Sequence, residues 1–181
     1  MPKKVLVKIA DKPKYPSSSV IQAACYEDYK RCIDTYDKIY EKINITLAFC
    51  AALVVVILPQ FDYTIFINYE YKSDLEFLSI MILLCSSFFS VVFIIWALIQ
   101  LLMLMRSKSI PVFDSIGSRN EEIYRWKPED AELWLIDKYT YATNEIRTIT
   151  KEKQIKYDSA MIKVLLSLLL YAVSTIISKG V

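Results

Sequence analysis

Three stretches of this chain carry no charged side chain: Ile43 to Phe61, Phe77 to Met105 and Val164 to Ser178. Uncharged runs of that length belong in a hydrocarbon solvent or at the centre of a large fold. The chain has 181 residues, too few to wrap three such runs in a soluble shell. A bilayer core is about 30 Å thick, and a helix rises 1.5 Å per residue. The first run, 19 residues, spans roughly 28 Å. The second, 29 residues, reaches roughly 43 Å and must tilt or emerge beyond the headgroups. The third, 15 residues, covers only roughly 22 Å, with Lys163 and Lys179 placed to snorkel outward from its ends. Backbone polar groups must be satisfied internally in lipid, which leaves helices or closed barrels. With 55% hydrophobic residues and only two glycines, the chain predicts helices. The expected fold is an all-α integral membrane protein with three transmembrane helices and long cytoplasmic helical extensions.

Between these runs the helical pattern continues. Ser17, Ser18 and Ser19 offer N-caps. From there Tyr26, Tyr29, Ile33, Tyr36, Tyr40 and Ile43 recur at steps of three and four, and Leu47, Cys50 and Val54 extend the stripe. An amphipathic cytoplasmic helix over 17–42 therefore enters the first span, 43–61, without a break, preceded by a basic arm over 1–16. An outer loop over 62–76 leads to the second span, 77–105. A linker over 106–127 contains the turn formers Pro111, Gly117 and Asn120. Pro128 suits a first helical turn, and Glu129, Asp130 and Glu132 favour a helix N-terminus. The cytoplasmic helix 128–158 then runs on as the third span, 159–179.

Basic residues set the orientation. Of 22 Lys and Arg, only Lys72 and Lys179 fall on the side of the outer loop. The positive-inside rule places the N-terminus in the cytoplasm and the C-terminus outside. The expected location is the bacterial inner (plasma) membrane, with no cleavable leader in the first residues.

Composition excludes several chemistries. There is no histidine, and the four cysteines lack CxxC spacing. That argues against a zinc site and a disulfide framework, and it removes any His-based triad. No nucleophile has a base beside it, no glycine-rich phosphate loop exists, and the net charge is only +2. The chain is not expected to be an enzyme or to need a metal or cofactor.

Two sets of residues stand out instead. In the third span Ala160, Lys163, Ser167, Tyr171, Ser174 and Ser178 share one face, while in the second Ser79, Ser86, Ser90 and Ala97 share another. Helices associate in lipid through close approach at small residues and interhelical hydrogen bonds. These seams are contact surfaces: either the two spans pack within one chain, or a homo-oligomer of four or more subunits lines a pore with them. The second set is cytoplasmic. Arg119, Tyr124, Arg125, Trp126 and Lys127 cluster ahead of the long helix, with Arg147, Lys151 and Lys153 further along it. Cationic groups bind phosphates and aromatic faces stack bases, so the set suits a nucleotide or oligonucleotide signal. It equally suits anionic headgroups of the lipid bilayer.

An amphipathic helix entering a hairpin of spans over 18–105, a linker, and the run YTYATNEIRTITKEKQIKYDSAMIKVLLSLLLY resemble small bacterial antiviral membrane effectors. These are the SLATT-type and related effectors of CBASS-, Pycsar- and Hailong-like systems, paired with nucleotide-signal synthases. Tyr141, Ala142, Asn144, Lys151, Tyr157 and Ala160 carry the resemblance within that run; a third span is added to the strict two-span SLATT layout. The resemblance implies an oligomer that disrupts the inner membrane under control of a nucleotide-type signal. The expected function is thus an oligomeric channel- or pore-type effector of antiphage defence. The alternative is a non-conducting membrane anchor or accessory subunit that recruits a cytoplasmic partner protein through the tyrosine stripe.

Overall fold

A computed structural model of the chain describes residues 14–60, 74–106, 110, 123 and 125–178. Expectations on the first 13 residues, on 61–73, on most of the linker including Arg119 and Tyr124, and on Lys179 lie outside the described residues. The fold is all-α. Helix α1 runs Ser18–Ile57, α2 runs Asp74–Met105 and α3 runs Pro128–Ser178. Each is long and apolar enough to cross a membrane.

The helix ends follow local chemistry. The α1 helix gives way to a 3₁₀ turn at Leu58–Gln60, short of Phe61, because Pro59 removes an N–H and disfavours helical geometry in the residue before it. Asp74 and Glu76 lie in the first turn of α2, and Glu129 and Asp130 in that of α3, where the helix dipole favours negative charge.

Two compact units divide the chain, one formed by residues 1–34 and 110–147, the other by 35–109 and 148–181. In the first, the start of α1 packs on the start of α3. Tyr29, Cys32, Tyr139, Ala142 and Ile146 are buried there, and the Tyr139 ring lies 5.5 Å from both Tyr26 and Tyr29. The Ser18 hydroxyl donates to the Glu132 carboxylate. Glu129 Oε2 accepts from the backbone N–H groups of Lys14 and Tyr15, at 2.8 and 3.3 Å.

The second unit is a three-helix bundle in which α1 and α3 run parallel and α2 runs antiparallel to both. Its buried positions repeat every seven residues. On α1 they are Tyr36, Ile43, Cys50 and Ile57, with Ile39 and Thr46; on α2, Ile80, Ser87, Ile94 and Leu101, with Leu83, Ser90, Ala97 and Leu104; on α3, Lys153, Ala160, Ser167 and Ser174; Ser86 and Val164 are buried beside these rows. A seven-residue repeat keeps one stripe facing its neighbours when helices wrap with a slight left-handed twist. Around this core the surface is apolar: Ile45, Phe49 and Val55 on α1, Leu78, Phe88 and Ile95 on α2, and Ile162, Leu165 and Leu169 on α3 are exposed. Small and polar groups inside with aliphatic groups outside is the arrangement expected where lipid is the solvent.

Candidate functional site

Because α2 and α3 are antiparallel, their polar residues meet in a column. Near its middle, Ser90 Oγ donates to the Ser167 carbonyl at 2.9 Å, and Ser167 Oγ donates to the Ser90 carbonyl at 2.8 Å. The two hydroxyl oxygens are 3.2 Å apart, and both residues are fully buried. A serine can reach a main-chain oxygen on the opposite helix only where the two backbones approach closely, which residues of this size permit. The other seam serines turn inward on their own helices: Ser79 bonds the Leu75 carbonyl, Ser86 that of Leu83 and Ser174 that of Tyr171. Tyr171 is half-buried and Ser178 exposed. The seam residues Ser90 and Ser167 therefore meet within one chain. Ser87 Oγ is also buried and has no hydrogen-bond partner among the described residues.

Toward the basic side, Gln100 joins α2 to α3 twice. Its Nε2 donates to the Lys156 carbonyl at 2.8 Å, and its Oε1 accepts from the Lys163 ammonium. Lys163 also donates to Ser159 Oγ at 3.1 Å and stands 5.0 Å from the centre of the Trp96 ring. Side chains on a helix lean toward its N-terminus, so the Lys163 ammonium reaches back one turn to find these partners. No carboxylate pairs with it among the described residues.

Further along lies Lys153, expected in the cytoplasmic set beside Arg147 and Lys151. Lys153 is only 5% exposed, yet it carries an ammonium. It donates to the Tyr40 hydroxyl and, at 3.3 Å, to the Leu104 carbonyl. Its Nζ stands 3.8 Å from the Tyr40 ring centre and 5.1 Å from that of Tyr36. Leu104 belongs to the last turn of α2, whose carbonyls have no intrahelical partner and carry the negative end of the helix dipole. The Tyr36 hydroxyl donates to that of Tyr40 at 2.9 Å. Burial pushes the Tyr36 hydroxyl well above its ordinary range, and its donated bond to Tyr40 adds to the shift. Burial also raises Tyr40, but hydrogen bonds from Lys153 and Tyr36 outweigh it and hold Tyr40 below its ordinary value. Lys153 was legible in one respect: it falls in the seven-residue register of Ala160, Ser167 and Ser174. Its charge placed it in the cytoplasmic basic set instead of in that buried row.

Among the described residues, the expected cytoplasmic ligand set does not converge. Arg125, Trp126 and Lys127 are exposed at the start of α3. Arg147 lies some 30 Å further along the helix, with both oxygens of Asp28 at 2.9 Å from its Nη2. Lys151 is exposed beyond it. The Arg147–Asp28 pair is itself open to solvent, with side chains 58% and 47% exposed. Arg147→Ala is expected to leave the thermal unfolding midpoint in detergent nearly unchanged, because an ion pair open to solvent contributes little; a marked drop would contradict this.

The chain matches no family model, and neither a curated protein nor a solved structure shows significant similarity to it.

Proposed function

We propose that this chain is one subunit of a homo-oligomeric channel or pore in a bacterial inner membrane, a defence-type effector gated by a cytoplasmic nucleotide-type signal. One observation carries the reading: the depth of the charges on α3. Tyr40 bonds Lys153 and Thr46 bonds Tyr157, the latter at 3.0 Å, which sets the level of α1 against α3. From Ile43 onward α1 is uncharged, whereas α3 still carries Lys156, Asp158 and Lys163. Lys163 lies ten positions beyond Lys153, roughly 15 Å along the helix. At this level α1 is uncharged and α2 offers Lys163 only the neutral Gln100, and an ammonium there is favoured by water, an acidic partner or an escape to the interface. A central aqueous path shared by several copies supplies water beside Lys163, Gln100 and Lys156. Arg125, Trp126 and Lys127 are the described residues suited to the signal; Arg147 is engaged by Asp28 and drops out of that set. The resemblance in layout to antiviral effectors supports the same class.

Lys163→Glu tests the reading in planar bilayers. Reversing a charge beside the path should change single-channel conductance severalfold and shift ion selectivity toward cations. Channels with unaltered current and selectivity would remove Lys163 from the path.

The closure of Ser90 on Ser167 within one chain favours a second reading, a non-conducting anchor whose spans need no other copy. Native mass spectrometry with liposome leakage separates the two. A ring of four or more subunits that leaks supports the channel, and a tight monomer or dimer supports the anchor.

A further inference from the structure

In the second unit α3 carries two rows of seven-residue spacing on opposite sides. Lys153, Ala160, Ser167 and Ser174 are buried inside the bundle, none more than 5% exposed. Two residues on from each, Ile155, Ile162, Leu169 and Ile176 form a second row. Two residues turn a helix by about 200°, so this row faces outward, and its members are 59 to 72% exposed. We infer that the outer row of α3 is a contact between two copies of this chain, which pack α3 on α3 in parallel.

Lipid alone does not account for the row. Ile155 lies two positions past Lys153, which bonds Tyr40, and α1 becomes uncharged only from Ile43. Around Ile155 the helix carries Lys151, Glu152, Lys156 and Asp158. An isoleucine 61% exposed among those charges carries the apolar row past the end of the hydrocarbon. A seven-residue repeat is what two helices need to stay in contact along their length.

The flanks say which partner fits. Residues three and four positions beyond a row residue fall on either side of the row. Exposed Thr148 heads the row. Three positions past Thr148 and Ile155 stand Lys151 and Asp158; four positions past them stand Glu152 and Ser159. Copies inserted under the same charge bias share one orientation, so identical rows meet in parallel and at the same level. About a two-fold axis along the membrane normal, each flank of one copy faces the opposite flank of the other. Lys151 then faces Glu152, and Asp158 faces the Ser159 hydroxyl. Asp158 accepts from Gln154 of its own helix through Oδ1, which leaves Oδ2 for the serine. Ser159 Oγ accepts from Lys163 and can donate its own proton. Within the span Leu165 faces Leu166. Flanking charges of this kind choose partner and orientation, while close packing of the row supplies the attraction in lipid. Lys156 and Lys163 lie one position on from row members, roughly 100° round the helix, and stay outside the contact.

The contact deepens the homo-oligomeric reading above and rests on it, but it does not need conduction. Its test is cysteine crosslinking of the full chain in liposomes. Cys25 and Cys85, the two thiols that are not buried, are replaced by serine. Ile155→Cys and Leu169→Cys are introduced separately, with Phe88→Cys on the exposed face of α2 as the control. Oxidation should give covalent dimers at 155 and 169 in severalfold higher yield than at 88. Lys151→Glu sets acid against acid across the pair and should cut the yield at 155 severalfold; Lys151→Glu/Glu152→Lys should restore it. Circular dichroism checks that each variant keeps its helices. Native mass spectrometry should count an even number of copies. Equal yields at 88 and along the row report random collision and overturn the contact. An oligomer that gives no dimers at 155 and 169 overturns it too and leaves the channel reading standing, whereas a monomer removes both.

Discussion

Lys153→Met is expected to lower the unfolding midpoint of the detergent-solubilised protein by about 6–12 °C, the equivalent of roughly 3 kcal/mol for a chain of this size. The reasoning starts from burial. The ammonium is nearly inaccessible and holds the Leu104 carbonyl, the Tyr40 hydroxyl and the faces of two tyrosine rings. Methionine fills similar space but donates nothing. A buried carbonyl left without a donor costs about 1–3 kcal/mol, and the loss of a cation at a helix C-terminus adds up to about 2 kcal/mol. Tyr40→Phe should cost less, because the ring face remains for Lys153. A midpoint within about 2 °C of the parent would show that Lys153 is a passenger at this junction.

Ser167→Leu is expected to separate α2 from α3. The site is fully buried, and its side chain lies against the Ser90 main chain. Three added carbons have no space where two backbones approach this closely, and overpacking of this kind costs about 1–3 kcal/mol or more. Ser167→Ala makes the useful contrast. It keeps the approach and loses only hydroxyl bonds, worth about 0.6–1.7 kcal/mol per pair in membrane helices. A cysteine pair, Ser90→Cys/Ser167→Cys with the native cysteines removed, reports which chains meet here. Oxidation should give a crosslink inside single chains. Covalent dimers in place of it would make the seam a contact between subunits.

Much of the architecture could be read from the residues alone. Three uncharged runs separated by charged, helix-patterned segments leave helices as the spanning form, because lipid offers no partner for open backbone. The all-α fold with three helices able to cross a membrane followed from that constraint. The packing stripe of α1 was legible only in part. Tyr29, Tyr36, Ile43 and Cys50 belong both to the expected stripe and to the buried set. Beside them, however, the interior takes Cys32, Ile39 and Thr46, while Ile33, Tyr40 and Leu47 are half-buried. Hydrophobic spacing ranks the bulky residues first. Ile39 is buried and the identical side chain of Ile33 is only half-buried, so the neighbouring helix, not the residue's size, chose between them.

The candidate site divides in the same way. The serine seams were visible as small residues at helical spacing. Spacing marks a face, but it does not say which partner covers it. That Ser90 and Ser167 meet was decided by the antiparallel register of α2 and α3. The same register brings Gln100 to Lys163, and Lys153 beneath the end of α2. The basic-aromatic set before α3 shows the opposite case, since residues of like composition lie far apart in the chain, and Arg147 meets Asp28.

By itself, then, the sequence determined the solvent and the elements. Charge-free length decides what can enter lipid, and the demand that every backbone group be paired within a span decides that it enters as a helix. Only the tertiary structure decided which polar groups meet. A hydroxyl, an amide or an ammonium finds its partner across helices through register, and register is a property of the packed bundle, not of any one segment.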